Sequence, residues 1–533
     1  MNPIENNAIA GGESPARLMV RLPICMKELS VETNHEFTLP DYLPEIKKML
    51  RVTATVEPPE SYVGASDAEF SGRLIYHLLY TGADGEIRGT DLPADYSFQA
   101  PIEAGEKCNR MMGQDAFADV VPELLVTRVL SPRRVNLRAR MRATARAYAF
   151  HSLAETLSGS PYGKVERLCG VTDSAVVLRG YARGVVFSDE MIADSTMNHS
   201  RVSATEGHVF VNEAIPDDSR VTLRGEILLK LLTCPIGDYS EGDGSAPLPS
   251  VIQRRIPFST EVALDGCDRY YDCRGFGVPT RIAVTEEDGR VIVDVEVTFT
   301  AEGQKNERFH YTRDLFSTGA ESASTYCEAE FPFALHALNG NFTLSDSLPL
   351  EGLGLVQDDR ILDVTGELSP SEITENGGKT TLSGEGHFHL LVKKADSGEF
   401  TPVDVTLPFR YSIDSTRGER RDLPEMKENA VSFDVISARA RQDGQRLSID
   451  AEVSVSIRTA GRTKVEMLES ASFGAPVAAK KGCIVLCYPS SNDTLWDVAR
   501  RYHVSPDSLA KRNGIEPMPD SPMKGVKYVV ARS

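Results

Sequence analysis

The sequence predicts a mainly-β protein: three tandem β-sandwich-like domains followed by a small βααβ module of two strands and two helices. Three observations lead to this fold class: long segments of strictly alternating apolar and polar residues, frequent glycine-containing turn signals, and an order of motifs that occurs three times. Alternation with a period of two marks strands with one buried face and one face in water. Such strands are typical of antiparallel sheets.

Length and composition agree with several globular domains. At 533 residues the chain exceeds what one hydrophobic core supports. Apolar residues make up 41% and charged residues 25%, which is ordinary for a globular protein. The net charge of −19 argues against a general nucleic-acid partner, since phosphate binding requires a basic surface.

The charge is unevenly distributed along the chain. From Lys480 onward there are nine Lys or Arg against five Asp or Glu, so this end carries +4 and the remainder −23. A basic end on an acidic body suits an acidic partner or a wall polymer. Ordinary variation between small domains explains the same difference, and the sequence leaves both readings open.

Targeting signals and cysteines bear on the compartment. We find no secretory signal and no apolar run long enough for a membrane span, so we expect a cytoplasmic protein without a transmembrane helix. The nine cysteines are odd in number and scattered, without a CxxC pair. We expect free, mostly buried thiols.

Three segments of the body share a glycine followed by an apolar stretch that ends in two leucines. They are GRLIYHLLY, GEILLKLLT and GEGHFHLLV, beginning at Gly72, Gly225 and Gly384. An aromatic strand entry follows in each copy, at Ser97-Phe98, Pro257-Phe258 and Pro408-Phe409. Each copy closes with an alternating segment whose first apolar residues, Val135, Val291 and Leu447, lie 63, 66 and 63 residues after the glycine. This common order predicts an internal repeat.

The repeats give a division into domains. We predict β-sandwich-like domains at residues 1–155, 156–305 and 306–465, a linker at 466–481 and the βααβ module at 482–533. Before the first copy, the segment LPDYLPEIKKML places Ile46, Met49 and Leu50 at helical spacing. We therefore expect a short amphipathic helix from about Pro44.

These body motifs resemble a known family. The LPDYLPEIKKML segment, followed by the glycine strand with its two leucines, the Pro-Phe entry and the alternating strand, resembles the SPOCS domain of sporulation coat proteins. The Pro-Phe element is degraded in the first copy, and the LPDYLP segment has no clear counterpart in the other two. The resemblance implies a coat morphogenetic protein with three SPOCS domains.

The C-terminal segment has the signals of a compact βααβ module. A strand is expected at residues 483–488, and Asp493 is expected to cap a first helix that carries Leu495, Val498, Ala499 and Tyr502. A second helix starts at Ser505-Pro506 and ends at Asn513-Gly514, before a closing strand at 526–530.

The string NDTLWDVARRYHVSPDSLAKRNGI resembles the LysM signature. That resemblance implies binding of N-acetylglucosamine polymers in a groove between the two loops that flank the helices. Carried onto this sequence, the groove residues are Asn492, Asp493, Thr494, Leu495, Trp496, Asn513, Gly514 and Ile515. Asn492 stands where the family usually has glycine, and its side chain can crowd a glycan. Trp496 is either a stacking platform for sugar or a packing residue beside the helix, and its helical position favours packing.

The sequence offers no catalytic or metal constellation. There is no P-loop, dinucleotide glycine fingerprint, HExxH or GxSxG motif. His387 and His389 share one strand face but have no evident third ligand. We therefore predict no catalytic residues, no metal and no cofactor, and a protein that works through its surfaces.

The sequence supports two alternative functions. The first, implied by the SPOCS and LysM resemblances, is a non-enzymatic scaffold of the spore coat in the mother-cell cytoplasm at the forespore surface. It would link the basal coat ATPase, a stage IV sporulation protein A-like partner, to other coat proteins, and several modest contacts on one chain would reinforce each other. The alternative is a protein that binds peptidoglycan, an N-acetylglucosamine polymer, in the spore cortex or cell wall.

Overall fold

The computed structural model describes residues 18–102, 111–153, 162–192, 200–235, 248–287, 290–414, 426–477, 484–490, 492–520, 522–523 and 527–531. Within these ranges the chain is mainly β, as predicted, and its two α-helices lie near the C-terminus.

The body consists of three repeats that use their strands in the same order. Repeat 1 contains β1 (Leu18–Thr38), β2 (Ile46–Val56), β3 (Glu60–Val63), β4 (Asp67–Gly82), β5 (Ile87–Pro101), β6 (Met111–Ser131) and β7 (Arg134–Leu153). Repeat 2 contains β8 (Val165–Ile192), β9 (Ser200–Asp217), β10 (Arg220–Pro235), β11 (Ser250–Ala263), β12 (Asp272–Glu287) and β13 (Arg290–Ser317). Repeat 3 contains β14 (Ala320–Pro349), a 3₁₀ turn (Glu351–Leu353), β15 (Arg360–Asn376), β16 (Lys379–Lys393), β17 (Phe400–Asp414), β18 (Met426–Asp443) and β19 (Arg446–Pro476).

Repeats 1 and 3 each fold into two antiparallel sheets, and the two corresponding groups of strands in repeat 2 are joined into one six-stranded sheet. One sheet has the order β1-β7-β6, β8-β13-β12 or β14-β19-β18, so the closing strand of the repeat lies at its centre. The glycine strand is the centre of the other sheet, with the orders β2-β4-β5, β9-β10-β11 and β15-β16-β17, and β3 also pairs with β4. In repeat 2 the pair Gly277 and Val209 joins the two sheets along one edge.

The alternating segments supply the cores. Their apolar residues point between the two sheets and are almost completely buried, while the residues between them lie on the opposite face of the strand. The buried sets are Val135, Leu137, Ala139, Met141 and Ala143 in β7; Val291, Val293, Val295, Val297 and Phe299 in β13; and Leu447, Ile449, Ala451, Val453, Val455 and Ile457 in β19.

Strands run past two of the predicted domain boundaries. β13 continues to Ser317, beyond the boundary at 305, and β19 continues to Pro476, into the segment predicted as a linker. At both places the closing strand extends beyond its sandwich, and polar residues interrupt the strict alternation there. The division into domains otherwise stays a prediction.

The repeat glycine lies opposite an aromatic ring on the next strand. The register pairs Gly225 with Phe258 and Gly384 with Phe409. A Cβ at Gly384 would lie 2.1 Å from the backbone oxygen of Ser369 and 3.0 Å from the Phe409 ring, so no larger residue fits.

The register also corrects the alignment of the first copy. Gly72 pairs with Tyr96, so Asp95-Tyr96 is the counterpart of the Pro-Phe dipeptides and the predicted counterpart Ser97-Phe98 is wrong by two residues. Phe98 instead stacks on Phe70, with ring centroids 4.9 Å apart. Side chains two residues apart lie on the same strand face. The sequence alone therefore did not show whether Tyr96 or Phe98 lies opposite Gly72.

The predicted helix at Pro44 is also wrong, because residues 46–56 form strand β2. Two bulges in the pairing of β2 with β4, at Ile46/Lys48 and Met49/Arg51, disturb its alternation. Ile46 enters the core of repeat 1, whereas Leu50 faces the neighbouring repeats. The bulges produced an apolar spacing that imitates one turn of helix.

The paired leucines hold the three repeats together. The first leucine of each pair, at Leu78, Leu231 and Leu390, lies in the core of its own repeat. The second leucine of each pair faces the other way and meets its counterparts in one shared cluster, which we call the junction. It consists of Leu50, Leu79, Ile87, Leu232, Cys234 and Leu391. The glycine strand is thus buried on both faces at this point, which explains the break in its alternation.

Charged side chains beside the junction connect all three repeats. Arg51 of repeat 1 contacts Glu206 of repeat 2 at 3.0 Å and Asp363 of repeat 3 at 3.3 Å. Lys230 of repeat 2 contacts the same Asp363 at 3.2 Å. These groups are largely buried, so each charge requires its partner.

Beyond the sandwiches, the long strands of repeats 2 and 3 form a projection that we call the arm. It consists of residues 165–177 paired with 304–317, and residues 320–336 paired with 459–476. The two ribbons pack through Phe309, Tyr311 and Phe331, with the Phe309 and Phe331 rings 5.3 Å apart. The end of the arm near Ser317 meets the C-terminal module.

Candidate functional site

The C-terminal module has the predicted βααβ order. It contains β20 (Ile484–Cys487), α1 (Leu495–Tyr502), α2 (Pro506–Asn513) and β21 (Tyr528–Ala531), and the two strands pair antiparallel. Its core is built by Cys487, Leu495, Val498, Ala499, Leu509, Ala510 and Val530, all of which are buried. Pro506 starts α2 and Gly514 ends it in the left-handed conformation, as expected for a helix C-cap.

The cap of α1 differs by one residue from the prediction. Thr494, and not Asp493, is the N-cap: its hydroxyl accepts from the backbone N–H of Asp497, whose carboxylate accepts from the Thr494 N–H in return. This reciprocal arrangement is a capping box. Asp493 instead binds Arg501 through two hydrogen bonds of 2.9 and 3.0 Å, and these bonds hold the pKa of Asp493 below its usual value.

Most predicted groove residues have structural roles in the module. Leu495 and Trp496 are buried, and Ile515 packs against the core. The Asn513 side chain bonds to the backbone of Leu509 and to both backbone groups of Val529, which fixes α2 on β21.

The exposed predicted positions are Asn492, at the tip of the β20–α1 loop, and Gly514, at the end of α2. The structure ties the β20–α1 loop to the segment after α2 through three backbone contacts: Met523 N–H to the Asp493 carbonyl, Trp496 N–H to the Pro519 carbonyl, and a bridge between Thr494 and Pro522. The two loops therefore form one continuous surface. The groove itself stays a prediction.

The module is docked on the arm. Phe316 and Leu168 of repeat 2 belong to the same buried cluster as the core of the module. The Trp496 ring packs edge-to-face against Phe316 with centroids 4.9 Å apart, and Trp496 is 3% exposed. Of the two predicted roles for Trp496, packing is therefore the one seen here, and the residue that it packs against belongs to another domain.

A buried carboxylate lies at the centre of this interface. Asp314 of β13 accepts hydrogen bonds from Trp496 Nε1 at 2.8 Å, from Arg500 at 2.6 Å and from the Tyr326 hydroxyl at 2.8 Å. Three donors from two domains thus converge on one carboxylate, whose side chain is 11% exposed. Charge-assisted bonds to a desolvated carboxylate are among the stronger polar contacts and fix orientation.

Two further contacts lie at the rim of the interface. Arg313 binds both carboxylate oxygens of Asp520 at 2.8 and 2.9 Å, which connects the segment after α2 to the arm. His503, which ends α1 in the left-handed conformation, donates from Nδ1 to the Ser317 carbonyl at 2.9 Å. The helix α1 and the segment after α2 therefore both contact the arm.

Sequence reasoning missed several residues of this site. Asp314 and Phe316 lie far from the module in the sequence and belong to no motif, so only the fold brings them to it. Tyr488, directly after β20, is 70% exposed, and Met518, in the segment after α2, is 58% exposed. Tyr488 could have been noticed in the sequence, because it is an aromatic residue next to the loop that carries Asn492.

A second candidate site is a cavity of about 1230 Å³ beside the junction. All three repeats line it, through the facing edges of β2 and β6, β9 and β12, and β15 and β18. Its histidines have carboxylate neighbours: His77 lies 2.7 Å from Asp91, His389 lies 2.7 Å from Asp404, and His208 lies 3.0 Å from Glu206. Each of these histidines is thus engaged by a carboxylate in a structural contact. We therefore assign no catalytic or binding role to the cavity.

Within the described ranges, no group of three His, Cys, Asp or Glu side chains is arranged to hold a metal ion. His389 pairs with Asp404 and His387 with Thr406 on an exposed strand face. The described cysteines are not joined in disulfide bonds. Among the described residues, no helix combines the length and the apolar character needed to cross a membrane.

Comparison with known proteins identifies the module. Residues 490–517 match the LysM domain, a binding module and not a catalytic one. Neither curated proteins nor solved structures give a match to the chain. The matched residues lie outside the three repeats, so the resemblance of the repeats to SPOCS domains stays a proposal. The C-terminal part of this mainly-β chain is therefore a LysM domain, docked on a body of three repeats.

Proposed function

We propose that this protein is a non-enzymatic binding scaffold whose LysM domain is held in a fixed orientation on a rigid body. The observation that carries the proposal is the Asp314 interface, where Trp496 and Arg500 of the LysM domain meet one buried carboxylate of repeat 2. A LysM domain on a flexible tether would keep such donors within the module or in water. A fixed orientation of the LysM domain reduces the conformational entropy that is lost when the body and the LysM domain bind to the same assembly.

The ligand class of the LysM domain is peptidoglycan or a related N-acetylglucosamine polymer. The docked helix α1 faces the arm, whereas Asn492, Gly514 and Tyr488 remain exposed. We infer that Tyr488 supplies the aromatic surface on which a sugar ring stacks, because Trp496 is enclosed between the two domains. The +4 charge of this end of the chain suits the acidic groups of wall polymers.

More specifically, we propose that the protein takes part in assembly of the spore coat. The order of three repeats and one LysM domain supports a scaffold that acts in the mother-cell cytoplasm at the forespore surface. Its partners there would be the basal coat ATPase, similar to stage IV sporulation protein A, and other coat proteins. The three repeats offer separate surfaces on one body, and several modest contacts on one chain suit that role.

Co-sedimentation of the full chain with purified peptidoglycan tests the ligand class. We expect binding, and Tyr488→Ala should weaken it about fivefold to tenfold, as for the loss of one stacking contact. Tyr62→Ala is the matched control, since Tyr62 is 69% exposed but lies in repeat 1. Equal binding by both variants would contradict the role of Tyr488.

The coat role has a separate test. The full chain and the purified coat ATPase are mixed and analysed by sedimentation, with and without peptidoglycan. A stable complex with the ATPase supports the scaffold proposal. Binding to peptidoglycan without any complex would leave the glycan-binding protein as the function. The full chain is required because the LysM core includes Phe316 and Leu168 of the arm.

A further inference from the structure

Two thiols of repeat 2 lie close to each other at one end of its sandwich. Cys267 follows β11, Cys273 belongs to β12, and their sulfur atoms are 4.0 Å apart. Both thiols are free in this structure. A disulfide needs about 2 Å between the sulfur atoms, so side-chain rotations have to close only the remaining gap of about 2 Å.

The turn between the two cysteines is held in place on both sides. The backbone of Cys267 bonds to Leu264 and to Ser219, both at 3.0 Å, and the Tyr271 N–H bonds to the Asp268 carbonyl at 3.1 Å. Lys305 of β13 contacts the Asp268 carboxylate at 2.9 Å. These bonds keep the cysteine backbones at a fixed separation, so the thiols stay paired in the folded protein.

We propose that Cys267 and Cys273 are a disulfide-forming pair, oxidised by a low-molecular-weight disulfide such as oxidised glutathione. The disulfide closes the turn between β11 and β12, which contacts repeat 3 through the side chain of Asp272. Asp272, next to Cys273, lies 3.3 Å from Arg458 of β19. Arg458 also donates to Gln304 of β13 at 3.3 Å. Oxidation therefore restricts the motion of the turn from which Asp272 contacts Arg458 at the base of the arm.

The chemistry balances with glutathione disulfide as the oxidant. The thiolate of Cys273, the more exposed of the two, attacks one glutathione sulfur, and the other glutathione leaves as a thiolate. The Cys267 thiolate then attacks the Cys273 sulfur, forms the protein disulfide and displaces the second glutathione. The protein loses two electrons and two protons, and one glutathione disulfide becomes two glutathione thiols.

The surroundings make this reaction slow at neutral pH. Burial raises the pKa of Cys267, and burial together with the neighbouring Cys267 raises the pKa of Cys273 to about 12. Since the thiolate is the nucleophile, the rate should rise about tenfold per pH unit from pH 7 to pH 9. The pair thus stays reduced during brief exposure to oxidant and oxidises on long exposure.

Peptide mass spectrometry of the full chain tests the proposal. The folded protein is incubated with oxidised glutathione, blocked with iodoacetamide and digested with trypsin. Cleavage after Arg269 separates the two cysteines, so the disulfide appears as peptide 256–269 linked to peptide 270–274. We expect this linked pair as the main intramolecular product. Cys169, an exposed thiol, is the internal control and should gain glutathione instead.

Two results would overturn the inference. One is glutathione on Cys169 without any linked pair. The other is a linked pair that forms in denaturant but not in the folded chain, because the fold would then keep the thiols apart. If the disulfide fixes the turn, oxidation should also raise the melting temperature of repeat 2 by about 5 °C. This rise should be absent in Cys267→Ser, and an unchanged wild-type melting temperature would contradict the proposed fixing of the turn.

Discussion

The junction of the three repeats and the contact between the LysM domain and the arm have a similar composition. They differ in whether their residues belong to the repeat motifs. Both consist of buried apolar side chains next to charged groups that connect separate domains. At the junction the same position of each repeat contributes, through Leu79, Leu232 and Leu391. At the LysM contact the body contributes Asp314 and Phe316, which have no counterpart in the repeat motifs.

The junction arises from repetition, because equivalent residues of three repeats form it. The LysM contact is particular to this domain arrangement. Three copies of one strand, each with a leucine on either face, can assemble around a common centre without further specialisation. A LysM domain at one place on the arm needs side chains found only there. The junction therefore explains how the body holds together, and the LysM contact explains how the proposed binding surface is oriented.

The largest expected effect is at the junction. Leu232→Ala removes a buried leucine from the shared cluster and should lower the free energy of unfolding by about 3 kcal/mol. Because the side chain lies between repeats, we expect the thermal transition to split into separate steps, which calorimetry detects. Leu231→Ala is the matched control, since Leu231 is the adjacent leucine and lies in the core of repeat 2. It should destabilise repeat 2 alone, and identical transitions for the two variants would refute the division of the leucine pair.

The next effect is at the LysM contact. Asp314→Asn keeps the shape of the side chain but leaves Arg500 without its buried counter-charge, at a cost of about 2 kcal/mol. Hydrogen exchange should become faster in α1 and in residues 312–317, while the junction is unaffected. Asp520→Asn is the control: its pair with Arg313 is exposed, so its loss should cost less than about 0.5 kcal/mol. Equal effects of the two variants would place Asp314 on the rim of the interface.

The smallest effect is a pH dependence of the junction. Burial by itself would raise the pKa of Glu206, but the hydrogen bond with His208 and the charge of Arg51 outweigh it and lower that pKa. The ionised carboxylate therefore stabilises the fold above the unfolded pKa of about 4.3, and this contribution is lost as the pH falls below it. The effect is modest because the Glu206 side chain is 24% exposed.

Denaturant unfolding at pH 6 and at pH 3 measures this contribution. The wild-type protein should lose stability over this range, and Glu206→Gln should lose less. Glu302 keeps part of the pH dependence in the variant: burial would raise its pKa, but Arg274 and Arg179 lower it to about 2. The same pH dependence in both proteins would show that Glu206 does not stabilise the junction.

The sequence predicted the fold class and the βααβ module because both depend on local patterns. Alternation in β7, β13 and β19 identified the strands and their buried faces. The signal failed where bulges altered the spacing, as at Ile46 and Leu50, and where two aromatic residues shared a face, as at Tyr96 and Phe98. The role of Asp314 was not predictable, because it depends on a contact between residues 182 positions apart.

The arm covers the LysM domain at Trp496, and the fluorescence of this single tryptophan reports on that contact directly. Acrylamide quenching of its fluorescence in the full chain should be weak. Phe316→Ala, which removes the ring packed against Trp496, should increase the quenching constant severalfold. Phe98→Ala in repeat 1 should leave it unchanged. Strong quenching in the wild-type protein, or no change in Phe316→Ala, would contradict the docked arrangement.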